Sequence, residues 1–245
     1  MSRSRLEIAP GFWADARRAL WIEEYGWLAV ADLHLGYAWA HRAAGQMLPV
    51  SASLESIHRL LELQREYRPK TIAILGDIVH RALPLEMVRN ELDLLLGQLS
   101  AASELCLIGG NHDFGLAELL ASGQYPAQLR EHARIGPHLL LHGDQPDAAA
   151  AGPLCEAARA RKGRILMGHE HPALSLGDGV TSMVRCPCFL ISDCVLVLPA
   201  FSTWASGCVI GRESFLSPLA RHSRFEQAAV VMGQRILAMR LGQAV

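Results

Sequence analysis

The segment Thr71-Ile72-Ala73-Ile74-Leu75-Gly76-Asp77 decides the fold of this chain. An apolar, β-branched run of strand length ends at a glycine, and a carboxylate follows at once. Four other apolar runs also end in acidic, amide or imidazole side chains. The five ends are Asp32-Leu33-His34, Asp77, Asn111-His112-Asp113, His142-Gly143-Asp144 and His169-Glu170-His171. Ligands bind at the carboxyl ends of strands in an open α/β sheet, so these side chains are predicted to converge on one edge.

The composition limits the class of protein. With 245 residues, 51% of them hydrophobic, the chain can bury one sizeable core, and we expect a single domain over residues 1–245. The net charge of −1 excludes a strongly basic nucleic-acid binder but allows a local phosphate-binding groove. The six cysteines form no Cys-x-x-Cys pair, so we expect reduced thiols in a cytoplasmic protein. No apolar run approaches the roughly 18 residues of a membrane span, so no membrane partner is expected.

Apolar residues between the five segments repeat at helical spacing. The pattern predicts helices over residues 51–67, 85–99, 116–121 and 148–161. A strand, a helix and a second strand in this order demand parallel pairing. After residue 178 the pattern changes to strands alone, and Gly233-Gln234 predicts a type II′ hairpin. We therefore predict an α/β fold in which two sheets pack face to face with helices outside.

The first fifth of the chain has a weaker pattern. Residues 1–16 are predicted to form an irregular lead-in. Residues 18–22 and 27–31 are predicted to form a hairpin whose turn ends at Gly26. Residues 36–49 have no strict period, so we expect a loop with some helical turns.

The five run ends carry the side chains that metal ions need. In Asp32-Leu33-His34 the carboxylate and the imidazole face the same side, because side chains alternate along a strand. Asp77, on a neighbouring strand, can give its two oxygens to two ions. Mixed nitrogen and oxygen ligands favour Mn, Fe, Zn or Ni over Ca or Mg. We therefore predict two divalent transition-metal ions, with Mn²⁺ as the first expectation.

Taken together, the blocks resemble the calcineurin-like metallophosphoesterases, and all five occur in order between residues 32 and 171. The resemblance implies a four-layer α/β/β/α sandwich of two mixed sheets flanked by helices. It also implies two metals that share Asp77, with His112 beside the substrate phosphate and Asp113 orienting it. One metal would be held by Asp32, His34, Asp77 and His171, and the other by Asp77, Asn111, His142 and His169.

Further blocks resemble one branch of that family. Gly76-Asp77-Ile78-Val79-His80 is similar to the Gly-Asp-x-x-His of repair nucleases, where the histidine contacts phosphate. The remaining blocks resemble the SbcD-related, ligase-associated endonucleases called PdeM. They are residues 31–36, followed by Arg42, Gly45 and Pro49, and the late blocks 185–189 and 198–201.

Four other side chains can be interpreted individually. Arg42 is a candidate phosphate contact, because a guanidinium matches phosphate as a two-pronged donor. Phe201 and Trp204 are interpreted as core or pocket wall. Glu170 departs from the pattern of the group, at a position expected to point away from the metal ligands.

Three functions follow from different interpretations of the blocks. The first is a phosphodiesterase or endonuclease that acts on single-stranded or flapped DNA during repair, within a ligase or helicase repair system. The second is a phosphoesterase for nucleotides or cyclic nucleotides, which the near-neutral charge favours. The third is a metal-free interaction scaffold, as in the retromer subunit of this superfamily. All seven ligand positions are filled, which argues against the third function.

Overall fold

A computed structural model describes residues 4–48, 51–80, 86–122, 127–145, 147–177, 183–205 and 207–242. The helices are α1 (Tyr37–Ala43), α2 (Ser51–Tyr67), α3 (Glu86–Ser100), α4 (Leu116–Ser122), α5 (Ala148–Ala160) and α6 (Pro218–His222). The first strands are β1 (Arg5–Ala9), β2 (Phe12–Asp15), β3 (Ala19–Ile22), β4 (Trp27–Val30), β5 (Thr71–Leu75), β6 (Glu104–Ile108), β7 (Leu129–Arg130) and β8 (His132–Ile135). The others are β9 (His138–Leu141), β10 (Ile165–Met167), β11 (Pro172–Gly177), β12 (Met183–Ile191), β13 (Val195–Val197), β14 (Cys208–Val209), β15 (Gln227–Met232) and β16 (Arg235–Arg240).

The first sheet contains β1 to β7 in sequence order. Strands β1 to β4 pair antiparallel, whereas β4, β5, β6 and β7 pair parallel. The residues of β5 are buried throughout, as expected for an apolar strand covered on both faces. Because Ile74 pairs with Val30 and Leu75 pairs with Ile108, the strands β4, β5 and β6 end at one edge.

The second sheet has the order β14-β11-β12-β13-β10-β9-β8, and β15 and β16 pair beside β12. Strands β9, β10 and β13 pair parallel, while most of the other pairs are antiparallel. A parallel bridge between Ala31 and Ala200 ties this sheet to the end of β4. The ligand-bearing ends of both sheets therefore meet at one edge of the sandwich.

Three groups of buried side chains define four layers. The central group lies between the sheets and includes Leu75 and Phe189. A second group packs α2 and α3 onto the first sheet, and a third packs α5 and α6 onto the other. The predicted α/β fold, with two mixed sheets flanked by helices, is confirmed.

Two local predictions were wrong, and a third was partly confirmed. Residues 5–9 and 12–15 form β1 and β2, because Leu6 and Ile8 alternate with polar residues and pack against the central core. The predicted loop with some helical turns contains α1 over residues 37–43, which begins after Gly36 at a φ of 78°. The stretch after residue 178 also contains α6, which Ser217 caps by accepting a hydrogen bond from the Leu219 N–H.

The remaining local predictions concern a hairpin turn, two segments that the structure does not describe and membrane-spanning helices. Gly233 has a φ of 61°, in agreement with the predicted tight hairpin between β15 and β16. Pro49 and the beginning of the strand predicted from residue 180 lie outside the described residues. Within the described part of the chain, none of the helices has the length and apolar character needed to cross a membrane.

Candidate active site

The predicted metal ligands have an unusual backbone. Five of the seven lie in the left-handed region, with φ values of 55° at Asp32, 49° at His34, 47° at Asp77, 68° at His169 and 46° at His171. Such conformations cost about 1–3 kcal/mol each and persist where the surrounding structure enforces them. The strands end before these residues, so strand alternation does not explain why Asp32 and His34 share a side. That reason was wrong, because the backbone beyond the strand ends directs the side chains.

Backbone hydrogen bonds hold these strained loops together. The N–H of Asp32 donates to the carbonyl of Gly76 at 3.2 Å, and the N–H of His34 donates to the carbonyl of Asp77 at 2.8 Å. The Asp32 carboxylate, which is fully buried, accepts from the His169 N–H at 3.1 and 3.2 Å. The ends of β4, β5 and β10 therefore form one connected unit.

Two glycines allow the loops to approach each other. Gly76 has a φ of 79°, and a Cβ there would collide with the ring of His142. A Cβ on Gly110 would collide with the carboxylate of Asp77. Glycine just before the ligand is therefore required sterically at both strand ends.

The first ligand cluster consists of Asp32, His34, Asp77 and His171, whose donor atoms lie within 4.8 Å of one another. The Nε2 atoms of His34 and His171 are 3.2 Å apart, and His171 Nε2 is 3.5 Å from Asp32 Oδ1. Two ligands about 2.1 Å from one cation and at right angles to each other are about 3.0 Å apart. The spacing and the donor types therefore fit one divalent cation.

The second cluster is centred on His142. Its Nε2 lies 3.2 Å from His169 Nδ1, 3.3 Å from Asn111 Oδ1 and 3.4 Å from Asp77 Oδ1. Its Nδ1 lies 3.0 Å from the carbonyl of Leu75 and can donate to it, which leaves Nε2 free to bind a metal. Three further candidate ligands therefore surround His142 Nε2 at 3.2–3.4 Å.

Asp77 lies between the clusters. Its Oδ1 faces His142 at 3.4 Å, and its Oδ2 faces His34 at 3.9 Å. The structure thus brings together all seven predicted ligands, with the carboxylate of Asp77 shared.

The pKa values of the candidate ligands are shifted in both directions: those of Asp32, His34 and His169 are lowered, and those of Asp77, His142 and His171 are raised. Burial lowers the pKa of His34 to about 3 and of His169 to about 4, so both are neutral at pH 7. Burial raises the pKa of Asp32, but His171 and the other facing imidazoles outweigh it and lower that pKa to about 2. Burial, against the opposing effect of His142, raises the pKa of Asp77. Neutral imidazole and carboxylate are the forms that bind metal ions.

The predicted catalytic histidines border the clusters. The His112 ring lies 5.5 Å from that of His80 in a stacked arrangement, and its Nδ1 contacts the His80 carbonyl. The Nε2 of His112 is 3.9 Å from Asp77 Oδ2, and the side chain is 35% exposed. Both rings can therefore reach a group bound on the open side of the clusters.

Asp113 does not contact the ring of His112 among the described residues. Its carboxylate accepts from the N–H of Val79 at 2.9 Å and from the N–H of Gly110 at 2.8 Å. Burial raises the pKa of Asp113 to about 7 despite these two bonds. Asp113 thus joins the ends of β5 and β6, and the carbonyl of His80 contacts the ring of His112 in its place.

The structure does not bring Arg42 to the clusters. Arg42 is exposed, and its guanidinium lies 5.9 Å from the centre of the Trp39 ring. No contact between Arg42 and a metal ligand occurs among the described residues. The positive charge of Arg42 was visible in the sequence, but its packing on an aromatic ring was not.

Sequence reasoning missed Tyr37. Its ring centre lies 4.4 Å from that of His80, and 6.2 Å from that of Trp204. Trp204 is half-buried beside the site and Phe201 is fully buried, in agreement with their interpretation as wall and core. The aromatic residues after Gly36 were the available signal for Tyr37.

Glu170 lies between two ligands but points away from them. Its buried carboxylate accepts from the N–H of Leu216 at 3.0 Å and from the N–H of Ser217 at 2.5 Å. The loop that bears His169 and His171 is thereby fixed to the start of α6.

Replacing Glu170 by glutamine is expected to destabilise the fold by about 1–3 kcal/mol, because the amide nitrogen cannot accept one of the two N–H groups. Urea unfolding measures the loss. Glu226→Gln is the control, because Glu226 is exposed and its ion pair with Arg224 is long, at 4.0 Å. Equal stabilities of the two variants would contradict the role of Glu170.

Comparisons with known proteins agree with this site. The model of the family described as calcineurin-like phosphoesterase matches residues 27–145. The match covers just under half of the chain. That match and the clusters of carboxylates and imidazoles make the chain a metal-dependent phosphoesterase. The ligands His169 and His171 lie beyond the matched segment, and the fold brings them to it.

A solved structure is similar to this phosphoesterase over nearly its whole length. It is the nuclease MPE of Pseudomonas putida, with 24% identity and a TM-score of 0.65. The match covers 96% of this chain and 98% of the nuclease. No curated protein matches the sequence. The likeness supports the fold of the phosphoesterase.

Proposed function

We propose that this phosphoesterase cleaves phosphodiester bonds in DNA, as an endonuclease for single-stranded or flapped ends in repair. The observation that carries the proposal is the pair of ligand clusters that share Asp77, bordered by His80 and His112. The similarity of the whole fold to a nuclease supports it. We place the chain in the PdeM group, in the cytoplasm, with a DNA ligase or helicase repair system as partner.

The two clusters would hold the cations. Asp32, His34, Asp77 and His171 would hold one, and Asp77, Asn111, His142 and His169 the other. We propose Mn²⁺ first, with Fe, Zn or Ni as alternatives, because mixed nitrogen and oxygen donors favour these four metals over Ca or Mg. When bound, such a pair makes water a stronger nucleophile and neutralises charge on the phosphate oxygens.

The protein's own side chains orient the substrate and move protons. The contact of His112 Nδ1 with the His80 carbonyl orients the ring and leaves Nε2 3.9 Å from Asp77 Oδ2, on a side chain that is 35% exposed. In its cationic form, His112 can donate a proton from Nε2 to the leaving oxygen. Tyr37 packs against His80 and keeps that ring beside His112, where it can contact a phosphate oxygen.

Purified protein loaded with Mn²⁺ is expected to cleave labelled single-stranded DNA. The same preparation is tested on cyclic nucleotides, and bound metal is measured by mass spectrometry. Turnover of cyclic nucleotides without any DNA cleavage would support the small-molecule phosphoesterase, which the near-neutral charge favours. A preparation that binds no metal would support the inert scaffold.

A further inference from the structure

A groove of about 810 Å³ lies beside the site and is lined by four arginines, with no aspartate or glutamate among the described residues that line it. The arginines are Arg17, Arg18, Arg59 and Arg185, and we call this feature the arginine groove. The whole chain has 23 basic and 24 acidic residues. Positive charge is therefore concentrated in the arginine groove, although the chain as a whole is nearly neutral.

The arginine groove lies at the edge of the sandwich that carries the active site. Strands β3 and β4 are antiparallel with Leu20 opposite Ala29, which places Arg18 beside the end of β4. Arg18 donates to the carbonyl of Ser202 at 2.6 Å, and the N–H of Ser202 donates to the carbonyl of Asp32 at 3.1 Å. One short backbone segment thus separates the guanidinium of Arg18 from a predicted metal ligand.

Three of the four arginines form no ion pair with a carboxylate of the described residues. Arg17 pairs with Asp15 and Glu66, both at 2.7 Å. For Arg18, Arg59 and Arg185, no carboxylate of the described residues lies within 4.0 Å.

The partners of Arg59 show the same deficit. Its guanidinium contacts the carbonyl of Phe201, and its buried Nε has no hydrogen-bond partner in the described structure. Burial, with the nearby charge of Arg18, lowers the pKa of Arg59 to about 10, although the charge of Glu55 opposes the shift. A partly buried cation without an ion pair is costly, and a bound anion would offset that cost.

We propose that the arginine groove binds phosphates of the nucleic-acid strand on one side of the scissile bond. The inference rests on the function proposed above. Guanidinium groups pair with phosphate through two parallel hydrogen bonds. A cleft of one charge sign also raises the local concentration of a polyanion. The adjoining hollow of about 620 Å³ shares Arg17 and Arg59 with the groove and is also lined by Asp15, Glu55, Glu62 and Glu66. These carboxylates would confine the strand to the side of Arg18 and Arg185.

Arg185 offers the cleanest test. It is exposed and makes no hydrogen bond or ion pair among the described residues, so its replacement leaves the fold intact. Anisotropy measures the binding of a fluorescent phosphorothioate oligothymidylate, which resists hydrolysis, at several salt concentrations. Arg185→Gln is expected to weaken binding about tenfold and to reduce the salt-dependence slope by about 0.7. Arg185→Glu is expected to weaken binding further.

Arg65→Gln is the matched control, because Arg65 is exposed on α2, the helix of Arg59, and lies outside the groove. It should leave the affinity and the salt slope unchanged. Wild-type affinity in Arg185→Glu would overturn the proposal. So would a mononucleotide that competes as strongly as the oligonucleotide, because a groove for a strand binds several phosphates. Failure of the wild type to cleave DNA contradicts the proposed function separately, since the groove is judged by binding alone.

Discussion

Replacing Asp77 by asparagine is expected to abolish binding of both metal ions and, with it, turnover. The carboxylate gives one oxygen to each cluster, at 3.4 Å from His142 and 3.9 Å from His34. The amide removes the negative charge and leaves only one oxygen. Changes in residues that merely support metal ligands cost roughly 10–100-fold in affinity, so loss of a shared ligand should cost more.

The substitution is expected to leave the fold intact. Asparagine tolerates the left-handed backbone found at Asp77, where φ is 47°. Its side-chain oxygen can still accept from the His112 N–H, as Asp77 Oδ1 does at 3.0 Å. Circular dichroism should therefore show an unchanged spectrum.

Calorimetric titration with Mn²⁺ measures the result for Asp77→Asn. Wild-type protein should bind two equivalents, and the variant fewer than one at the same concentrations. Asp93→Asn, at an exposed position on α3, serves as control and should behave as wild type. Two equivalents bound by Asp77→Asn would show that the clusters do not share this ligand.

The sequence predicted the strands of the site because their signals are local. Each apolar run is long enough for a strand, and each ends in glycine or a ligand. The parallel pairing of β5 and β6 followed from the helix between them. Residues 5–15 were missed because two very short strands around Gly11 leave few alternations to count.

The details of the site depended on contacts between distant residues. Helix α1 is held by Glu91, which accepts from the Gly36 N–H and the Trp39 indole, both at 3.1 Å. No local pattern links Glu91 to these residues. The contact of Asp113 with Val79 was hidden for the same reason.

The left-handed backbone of the ligands could not be predicted either. Asp and Asn visit that region more often than bulky residues, but tertiary hydrogen bonds decide where they do so. At His34 the deciding bond is donated to the carbonyl of Asp77, which is far away in sequence. The candidate ligands were therefore readable from the sequence, whereas the way they converge was not. The single-domain organisation over residues 1–245 stays a prediction.

Replacing His112 by asparagine should separate metal binding from catalysis. The His112 side chain belongs to neither of the two clusters that share Asp77, so we expect two Mn²⁺ equivalents to remain bound. Loss of the proton donor should lower kcat by about 10²–10⁴-fold. The measurement combines calorimetric titration with single-turnover cleavage of a labelled diester. His132→Asn, at an exposed position on β8, is the control and should retain full activity.

The metal content and the kcat of His112→Asn together distinguish the possible roles of His112. Its ring nitrogen also lies within 4.8 Å of nitrogen atoms of His34 and His80, a group that could itself hold an ion. Loss of a metal equivalent in His112→Asn would assign this histidine to metal binding. Retained metal with wild-type kcat would exclude it from proton transfer. We expect retained metal with a slow chemical step. The His112 side chain is 35% exposed beside the clusters. A group outside the ligand set can act on the leaving oxygen without disturbing the cations.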